Sequence, residues 1–495
     1  MLDQSRIDAL RHSPVPPAGH LIDGQICAAS DGQVMDVISP LDGTVLTTMA
    51  RGTKQDADAA IAAARRAFDD GRWSELAPAQ RRKVMLKWAD LIEQNALELA
   101  VLGVRNNGTE IGMALKAEPL SAAGSIRYYA EAIDKMTGEI APTAPDALGL
   151  VHREPVGVVA AIVPWNFPQM IGAWKLGPAL AAGCTVVLKP AETASLALIR
   201  IAELAVEAGM PNGVLNVVTG EGAVVGEALA TSMDVDVLVF TGSGPVGRRL
   251  LENAARSNLK RVYLELGGKS ANIVFADALD LNEAAKVSAA GIFRNSGQVC
   301  VAGSRLLVER SIHDEFVELL AHHAKAMKVG DPLDPTTNAG AVNSLRQLEQ
   351  NLGFVAEAHE QGRTIALGGK RILEDTGGYF MEPTIVTGVE PSDRIAQQEV
   401  FGPVLAVIPF DTEEEALRIA NGTEFGLASA VWTANLSRAH KMVRRIKAGV
   451  VHVNTYGGSD ITVPLGGVKQ SGNGHDKSLH AFEKYLDLKT AWIKL

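Results

Sequence analysis

A chain of 495 residues is longer than one hydrophobic core can serve, so two or more domains with clefts between them are expected. With 47% hydrophobic and 21% charged residues spread without long blocks the chain reads as globular, and a net charge of -10 argues against nucleic acid or an anionic membrane as partner. Three scattered cysteines, and no HExxH among eleven histidines, speak against a disulfide framework or a zinc site, so no metal is expected and a reducing, cytoplasmic compartment is.

The N-terminal MLDQSRIDALRHSPVPP lacks an apolar run behind a positive start, and the longest apolar stretches are broken by Pro or Gly short of a membrane span. Residues 55–105 predict helices, because AAIAAARRAFDD and RRKVMLKWADLIEQNALELAVLGV repeat apolar residues at three- and four-residue spacing. From Val156 short Val/Ile runs alternate with helical segments: VGVVAAIV, WKLGPALAAG, TVVLKP, LALIRIAELAVEAG, GVLNVVTG, GEALATSM and DVLVFTG. That alternation predicts βαβ units and a parallel sheet. GSGPVG, Gly242 to Gly247, follows a strand and opens a helix, as a dinucleotide-binding turn does. GEGAVVG at 220–226 has a similar form, so at least one of the two is a tight connection only. The acid that would hold a ribose is then either Glu265, at the usual distance beyond the glycines, or Glu192, beside Lys189 at the end of the TVVLKP strand. GGKS, Gly267 to Ser270, imitates the tail of a phosphate loop, but Tyr263 stands where the first glycine belongs, which argues against a nucleoside triphosphatase. A second alternation, SANIVFAD, AAKVSAAGIF, SRLLVER and HDEFVELLAHHAKAM, predicts a second α/β domain. Within it RNSGQVCVAGSR sets Cys300 among small and polar residues.

Taken in order, PWNFP (164–168), LKPAE (188–192), FTGS (240–243), LELGGKS (264–270), GQVC (297–300), EVFGP (399–403) and GGVKQSG (466–472) resemble the aldehyde dehydrogenase superfamily, with order and spacing matched over nearly the whole chain. The resemblance implies an α/β fold with a Rossmann-like NAD-binding domain (1–133 and 154–266) and a second α/β catalytic domain (267–479). A small β oligomerisation element (134–153 and 480–495) would make a dimer or tetramer. It implies that Cys300 is the nucleophile that adds to the aldehyde carbonyl, and that Asn166 and the Cys300 N–H stabilise the oxyanion this creates. Glu265 would activate the water that hydrolyses the thioester. The ribose role passes to Glu192 with Lys189, and a carboxylate there favours NAD over NADP. Gly242 and Ser243 would meet the pyrophosphate, Glu399 the nicotinamide ribose, and Phe401 the nicotinamide, with Trp165 also on the cofactor. With both Glu265 and Asn166 present, the product implied is a carboxylate rather than an acyl-CoA. Cys27 and Cys184 are read as small buried hydrophobes.

Within the superfamily, YAEAIDK, VPWNFP, WKLGPALAAG, GGKSANIVFAD and HDKSLHAFEKY resemble bacterial aminoaldehyde dehydrogenases, the γ-glutamyl-γ-aminobutyraldehyde enzymes among them, which implies an aminoaldehyde of polyamine breakdown as substrate. Phe167, Trp174, Tyr456 and Leu465 are expected to line the substrate tunnel, and Asp460 and Glu118 to place negative charge at its mouth. Some residues depart from that pattern. Arg294 stands where many members carry an aromatic and resembles the arginine with which succinate-semialdehyde enzymes hold a carboxylate; the other reading is a guanidinium paired with a nearby acid. Leu465 and Val468 replace residues often aromatic in this subgroup, thinning the lining a cation prefers, and RNNGTEI at 105–111 departs from the more usual acidic segment. The alternatives are therefore an anionic semialdehyde or a broad range of aliphatic and aromatic aldehydes, with a thiol esterase lacking redox chemistry further behind.

Overall fold

The computed structural model describes residues 3–495, so of the N-terminal segment considered above the first two residues lie outside it. An eight-stranded sheet runs in the spatial order Gln25–Cys27, His20–Ile22, Leu215–Val217, Thr185–Lys189, Val158–Ile162, Val237–Thr241, Arg261–Glu265, Gly472–Asn473. Its middle, from Leu215–Val217 to Arg261–Glu265, is parallel, and its edges pair antiparallel. Val158–Ile162 and Thr185–Lys189 are buried at every position, as continuous Val/Ile runs must be when helices cover both faces of a sheet.

The chain winds from Val158–Ile162 outward to Leu215–Val217 and then returns to the opposite side for Val237–Thr241. Strand order therefore reverses between Val158–Ile162 and Val237–Thr241, and the crevice beyond their carboxyl ends is where such a sheet takes a ligand. PWNFP leaves the first of these strands and TGS the second, which is why two motifs so far apart in sequence meet.

Local chemistry fixes the covering helices. Lys54–Asp69 begins on a capping box in which the Thr53 hydroxyl accepts from the Asp56 N–H and the Asp56 carboxylate accepts from the Thr53 N–H at 2.8 Å. Pro168 opens Pro168–Ala182 where its missing N–H is not needed, and Gly183 closes that helix at φ +104°. Trp73 and Trp88, both fully buried, donate their indole N–H groups to the carbonyls of Leu180 (2.9 Å) and Ile201 (2.8 Å), so the large rings pack without stranding a donor.

The second sheet has seven strands, ordered Thr364–Leu367, Thr384–Thr387, Val404–Phe410, Arg305–Glu309, Ala271–Val274, Ala428–Trp432, Val450–Val453, parallel except at the Thr364–Leu367 edge. Glu139–Ala141, Ala147–Pro155 and the C-terminal strand Leu486–Lys494 form a separate three-stranded antiparallel sheet. Gly472–Asn473 returns to the first sheet beside Arg261–Glu265, and the segment that follows it carries Asp476, Lys477 and Lys484. No helix among the described residues is long and apolar enough to cross a membrane, and no group of His, Cys, Asp and Glu among them is placed to hold a metal ion.

Candidate active site

The helix Leu281–Phe293 gives way to a short 3₁₀ turn, Arg294–Gly297, in which Asn295, Ser296 and Gly297 have φ of 50°, 51° and 72°. Left-handed backbone is unfavourable for Ser, so the surroundings must hold it. The Asn295 N–H donates to Glu110 Oε1 (3.1 Å), the Thr109 hydroxyl donates to Asn295 Oδ1 (2.8 Å), and Gln298 Oε1 accepts from the Asn343 N–H (2.8 Å). Gly297 lies so close to the EVFGP segment that a Cβ there would stand 2.0 Å from the Gly402 carbonyl oxygen. The loop that presents Cys300 is thus fixed from several sides.

Asn166, buried, donates from Nδ2 to the Gln298 carbonyl at 2.9 Å. One amide hydrogen positions the side chain beside the Cys300 loop, and the second remains for an oxyanion forming there. Asn166→Ala is expected to lower kcat by about 10²–10³-fold with a small change in KM, measured by steady-state kinetics, since an oxyanion donor acts mainly on the transition state.

Cys300 borders two cavities. One, of about 730 Å³, is lined by Phe167, Trp174, Arg294, Leu465 and Lys477 among others. The other, of about 470 Å³, is lined by Trp165, Asn166, Gly242, Ser243, Glu399 and Phe401. Ligands occupying the two cavities would meet at this thiol.

Burial, and then the neighbouring carboxyls Glu399 and Glu265, push the Cys300 thiol up to about 12. Burial and neighbouring Asp476 push the Glu265 carboxyl well above the usual carboxylate range, against the opposing pull of Lys175 and Lys484. Asp476 itself accepts from Lys175 Nζ (2.9 Å) and from Lys484, so it takes the cations that would otherwise ionise Glu265. Glu265 ends its strand and, unlike its neighbours Leu266 and Gly267, is not among the residues lining either cavity; its Oε1 is buried with no hydrogen-bond partner among the described residues.

In the smaller cavity Ser243 caps the helix Gly244–Ala255 without spending its hydroxyl on the helix, leaving open N–H groups for an anion. Thr241 Oγ1 is buried and unpartnered at the same edge. Trp165 and Phe401 meet edge to face at 5.2 Å, Phe401 held at φ 58°. Glu399, raised to about 7 by burial, accepts from the Gly268 N–H at 2.9 Å. Beyond this cavity, Lys189 donates to Glu192 at 3.3 Å, and Glu192 accepts from the Gly222 N–H at 2.6 Å. The second glycine turn, GEGAVVG, therefore supports Glu192, while the helix opened by Ser243 and Gly244 lies at the cavity. An anion-receptive helix end, aromatic faces, ribose-competent carboxylates and an orphaned hydroxyl together fit a dinucleotide.

The model of the aldehyde dehydrogenase family matches residues 27–491. The chain belongs to the aldehyde dehydrogenase family. It is 50% identical over 474 residues to the NADP/NAD-dependent aldehyde dehydrogenase PuuC of Escherichia coli (strain K12), covering 96% of this chain and 95% of that protein. Among solved structures, an indole-3-acetaldehyde dehydrogenase in complex with NAD+ superposes with a TM-score of 0.98 at 53% identity, covering 100% of both chains. The γ-glutamyl-γ-aminobutyraldehyde dehydrogenase of Burkholderia cenocepacia J2315 superposes with a TM-score of 0.97 at 50% identity, again over 100% of both.

In this aldehyde dehydrogenase the larger cavity differs in part from the tunnel expected. Phe167, Trp174, Leu465 and Arg294 line it. Tyr456 does not: its ring is buried against Gly291 and Gly303, where a Cβ would meet it at 2.9 Å, and its hydroxyl donates to the Val301 carbonyl at 2.8 Å, so it braces the wall from behind. Asp460 is absent from the lining as well, because its carboxylate turns back to the Thr462 N–H (2.9 Å) and hydroxyl (2.7 Å). Glu118 is buried rather than at the mouth, accepting from the Met170 N–H at the start of Pro168–Ala182 (2.8 Å), with burial pushing its carboxyl up to about 8. Arg294 has no ion pair among the described residues, so the alternative of an arginine bound to a nearby acid does not hold. Lys477 lines the cavity too, and nothing local in HDKS marks it for that position.

Proposed function

We propose that this dehydrogenase oxidises an aldehyde to its carboxylic acid with NAD as hydride acceptor. The observation that carries this reading is Cys300 at the junction of the two cavities. Cys300 adds to the carbonyl carbon, Asn166 and the Cys300 N–H hold the oxyanion, and the thioester left after oxidation is hydrolysed by water that Glu265 deprotonates. Trp165, Gly242, Ser243, Glu399 and Phe401 would hold the nicotinamide end of the dinucleotide, and Lys189 with Glu192 its adenosine ribose. When bound, NAD supplies the hydride acceptor. The likeness to the γ-glutamyl-γ-aminobutyraldehyde dehydrogenase supports an amine-derived aldehyde as substrate, with an anionic semialdehyde as the second reading because Arg294 stands unpaired in the tunnel. Exposed Ile140, Leu488 and Trp492 on the three-stranded sheet, with Leu495 just beyond it, support association into a dimer or tetramer.

The test is stoichiometry. One NADH and one carboxylate should form per aldehyde without added coenzyme A, and replacing Glu192 with Gln should narrow the preference for NAD over NADP by about tenfold, since a carboxylate repels the 2'-phosphate. Turnover of esters alone, with no NADH from any aldehyde, would overturn the reading.

A further inference from the structure

Asn295 and Ser296 stand in the left-handed region, with φ, ψ of 50°, 33° and 51°, 36°, and Gly297 follows at φ 72°. Such a run is unfavourable for L-residues, so the turn before Cys300 keeps its shape only while its partners hold it. Asn295 carries much of that grip. Its N–H donates to Glu110 Oε1 at 3.1 Å, its Oδ1 accepts from the Thr109 hydroxyl at 2.8 Å, and its Nδ2 donates to the Gln298 carbonyl at 3.3 Å. The same carbonyl accepts from Asn166 Nδ2 at 2.9 Å. One carbonyl two residues before Cys300 therefore positions the Asn166 amide and is itself tied, through Asn295, to Glu110. Glu110 is anchored in turn: the Ile111 N–H donates to the Pro332 carbonyl at 2.7 Å, and the Ala341 N–H donates to the Gly108 carbonyl at 3.0 Å. Its carboxyl is buried, with Oε2 lacking a hydrogen-bond partner among the described residues, and burial pushes it up to about 7 against the pull of the N–H groups of Glu110 itself, Asn295 and Gly340 and of the Arg294 charge. A carboxyl in such a place is costly, and Glu110 lines neither cavity, so contact with substrate or cofactor does not account for it.

We propose that Glu110 is a positioning residue, which through Asn295 and the Gln298 carbonyl sets where the Asn166 amide and the Cys300 N–H meet the oxyanion. The inference rests on the aldehyde-oxidising reading of Cys300 and extends it to a residue in contact with neither ligand. What Glu110 supplies is a hydrogen-bond acceptor at a fixed point, because the group it holds is a backbone N–H. Its charge matters less: Arg294, the cation whose charge reaches it, forms no ion pair among the described residues. Reach and charge are separable by substitution. Gln keeps the length and the acceptor without the charge, whereas Asp keeps the carboxylate and withdraws it by one methylene.

The experiment measures steady-state oxidation of butyraldehyde and NAD affinity, the latter by protein fluorescence, for wild type, Glu110→Ala, Glu110→Asp, Glu110→Gln, Asn166→Ala and the double variant Glu110→Ala with Asn166→Ala. Glu110→Ala should lower kcat by about 30-fold and Glu110→Asp by about tenfold, with KM and NAD affinity within about threefold, since a displaced oxyanion donor is felt in the transition state. Glu110→Gln should stay within about threefold of wild type. In the double variant the loss should fall well short of the product of the single losses, because both substitutions act on one pair of donors. Retained NAD affinity shows that a variant folds; if Glu110→Ala loses it, the contrast between Asp and Gln carries the test alone. Equal losses for Asp and Gln, a loss that appears in KM instead of kcat, or losses that multiply fully with Asn166→Ala would overturn the role of Glu110 alone. Failure of wild type to oxidise butyraldehyde with NAD would instead overturn the reading of Cys300, and the role of Glu110 with it.

Discussion

Cys300→Ala is expected to lower kcat for aldehyde oxidation by about 10⁴-fold or more while leaving NAD affinity, read by titration of protein fluorescence, within about threefold. The asymmetry follows from where the thiol stands. It borders the smaller cavity at one point, so its loss leaves Trp165, Ser243, Glu399 and Phe401 in place, yet no other nucleophile lines both cavities. Cys27 and Cys184 cannot substitute: Cys184 is fully buried in the core with its sulfur on the Tyr485 carbonyl, and Cys27 sits at the edge of the first sheet. Near-native NADH formation by the variant would contradict the covalent mechanism.

Glu265→Gln should separate the two halves of the reaction. On the proposed mechanism oxidation needs Cys300 whereas hydrolysis needs a base, so the variant should release about one NADH per active site in a burst and then turn over about 10²–10⁴-fold more slowly than wild type. The pH dependence has a definite sign. The Glu265 carboxyl is raised well above the ordinary value of 4.5, so it is protonated and inactive as a base at low pH, and the rate of hydrolysis should rise with pH through that raised value. In Glu265→Gln this limb should disappear from the kcat profile. Weakening the cluster that occupies Lys175 and Lys484, as in Asp476→Asn, removes a repelling charge and frees both cations, and should shift the same limb to lower pH.

The parallel sheet is legible in the sequence because Val158–Ile162, Thr185–Lys189 and Val237–Thr241 are short Val/Ile runs buried on both faces, a pattern set by each segment alone. The short antiparallel strands His20–Ile22 and Gln25–Cys27 escape such a reading: the latter is largely exposed, and their pairing depends on Leu215–Val217, remote in sequence. The site divides in the same way. Cys300, Asn166 and Glu399 lie in motifs whose composition betrays them. The competition between Glu192 and Glu265 is not resolved by spacing, because Glu265 ends one strand of the sheet and Glu192 lies three residues beyond the end of another; only tertiary placement puts Glu192 on the Gly222 N–H and Glu265 beside Asp476. Tyr456 and Asp460 are plausible lining residues by type and proximity to the tunnel segment, but an aromatic is equally served by a glycine-floored pocket, and an aspartate two residues before a threonine by its own turn. Lys477 and the Lys175–Asp476–Lys484 cluster are invisible locally, since Gly472–Asn473 must first pair with Arg261–Glu265 to bring them in.

The most direct test of the central claim is the intact mass of Glu265→Gln after incubation with NAD and butyraldehyde. A butyryl adduct that maps to Cys300 by peptide digestion, in amount equal to the NADH burst, is the predicted result. NADH formed with no adduct, or an adduct that persists when Cys300 is also replaced by Ala, would contradict a thioester on Cys300 hydrolysed with Glu265 as base.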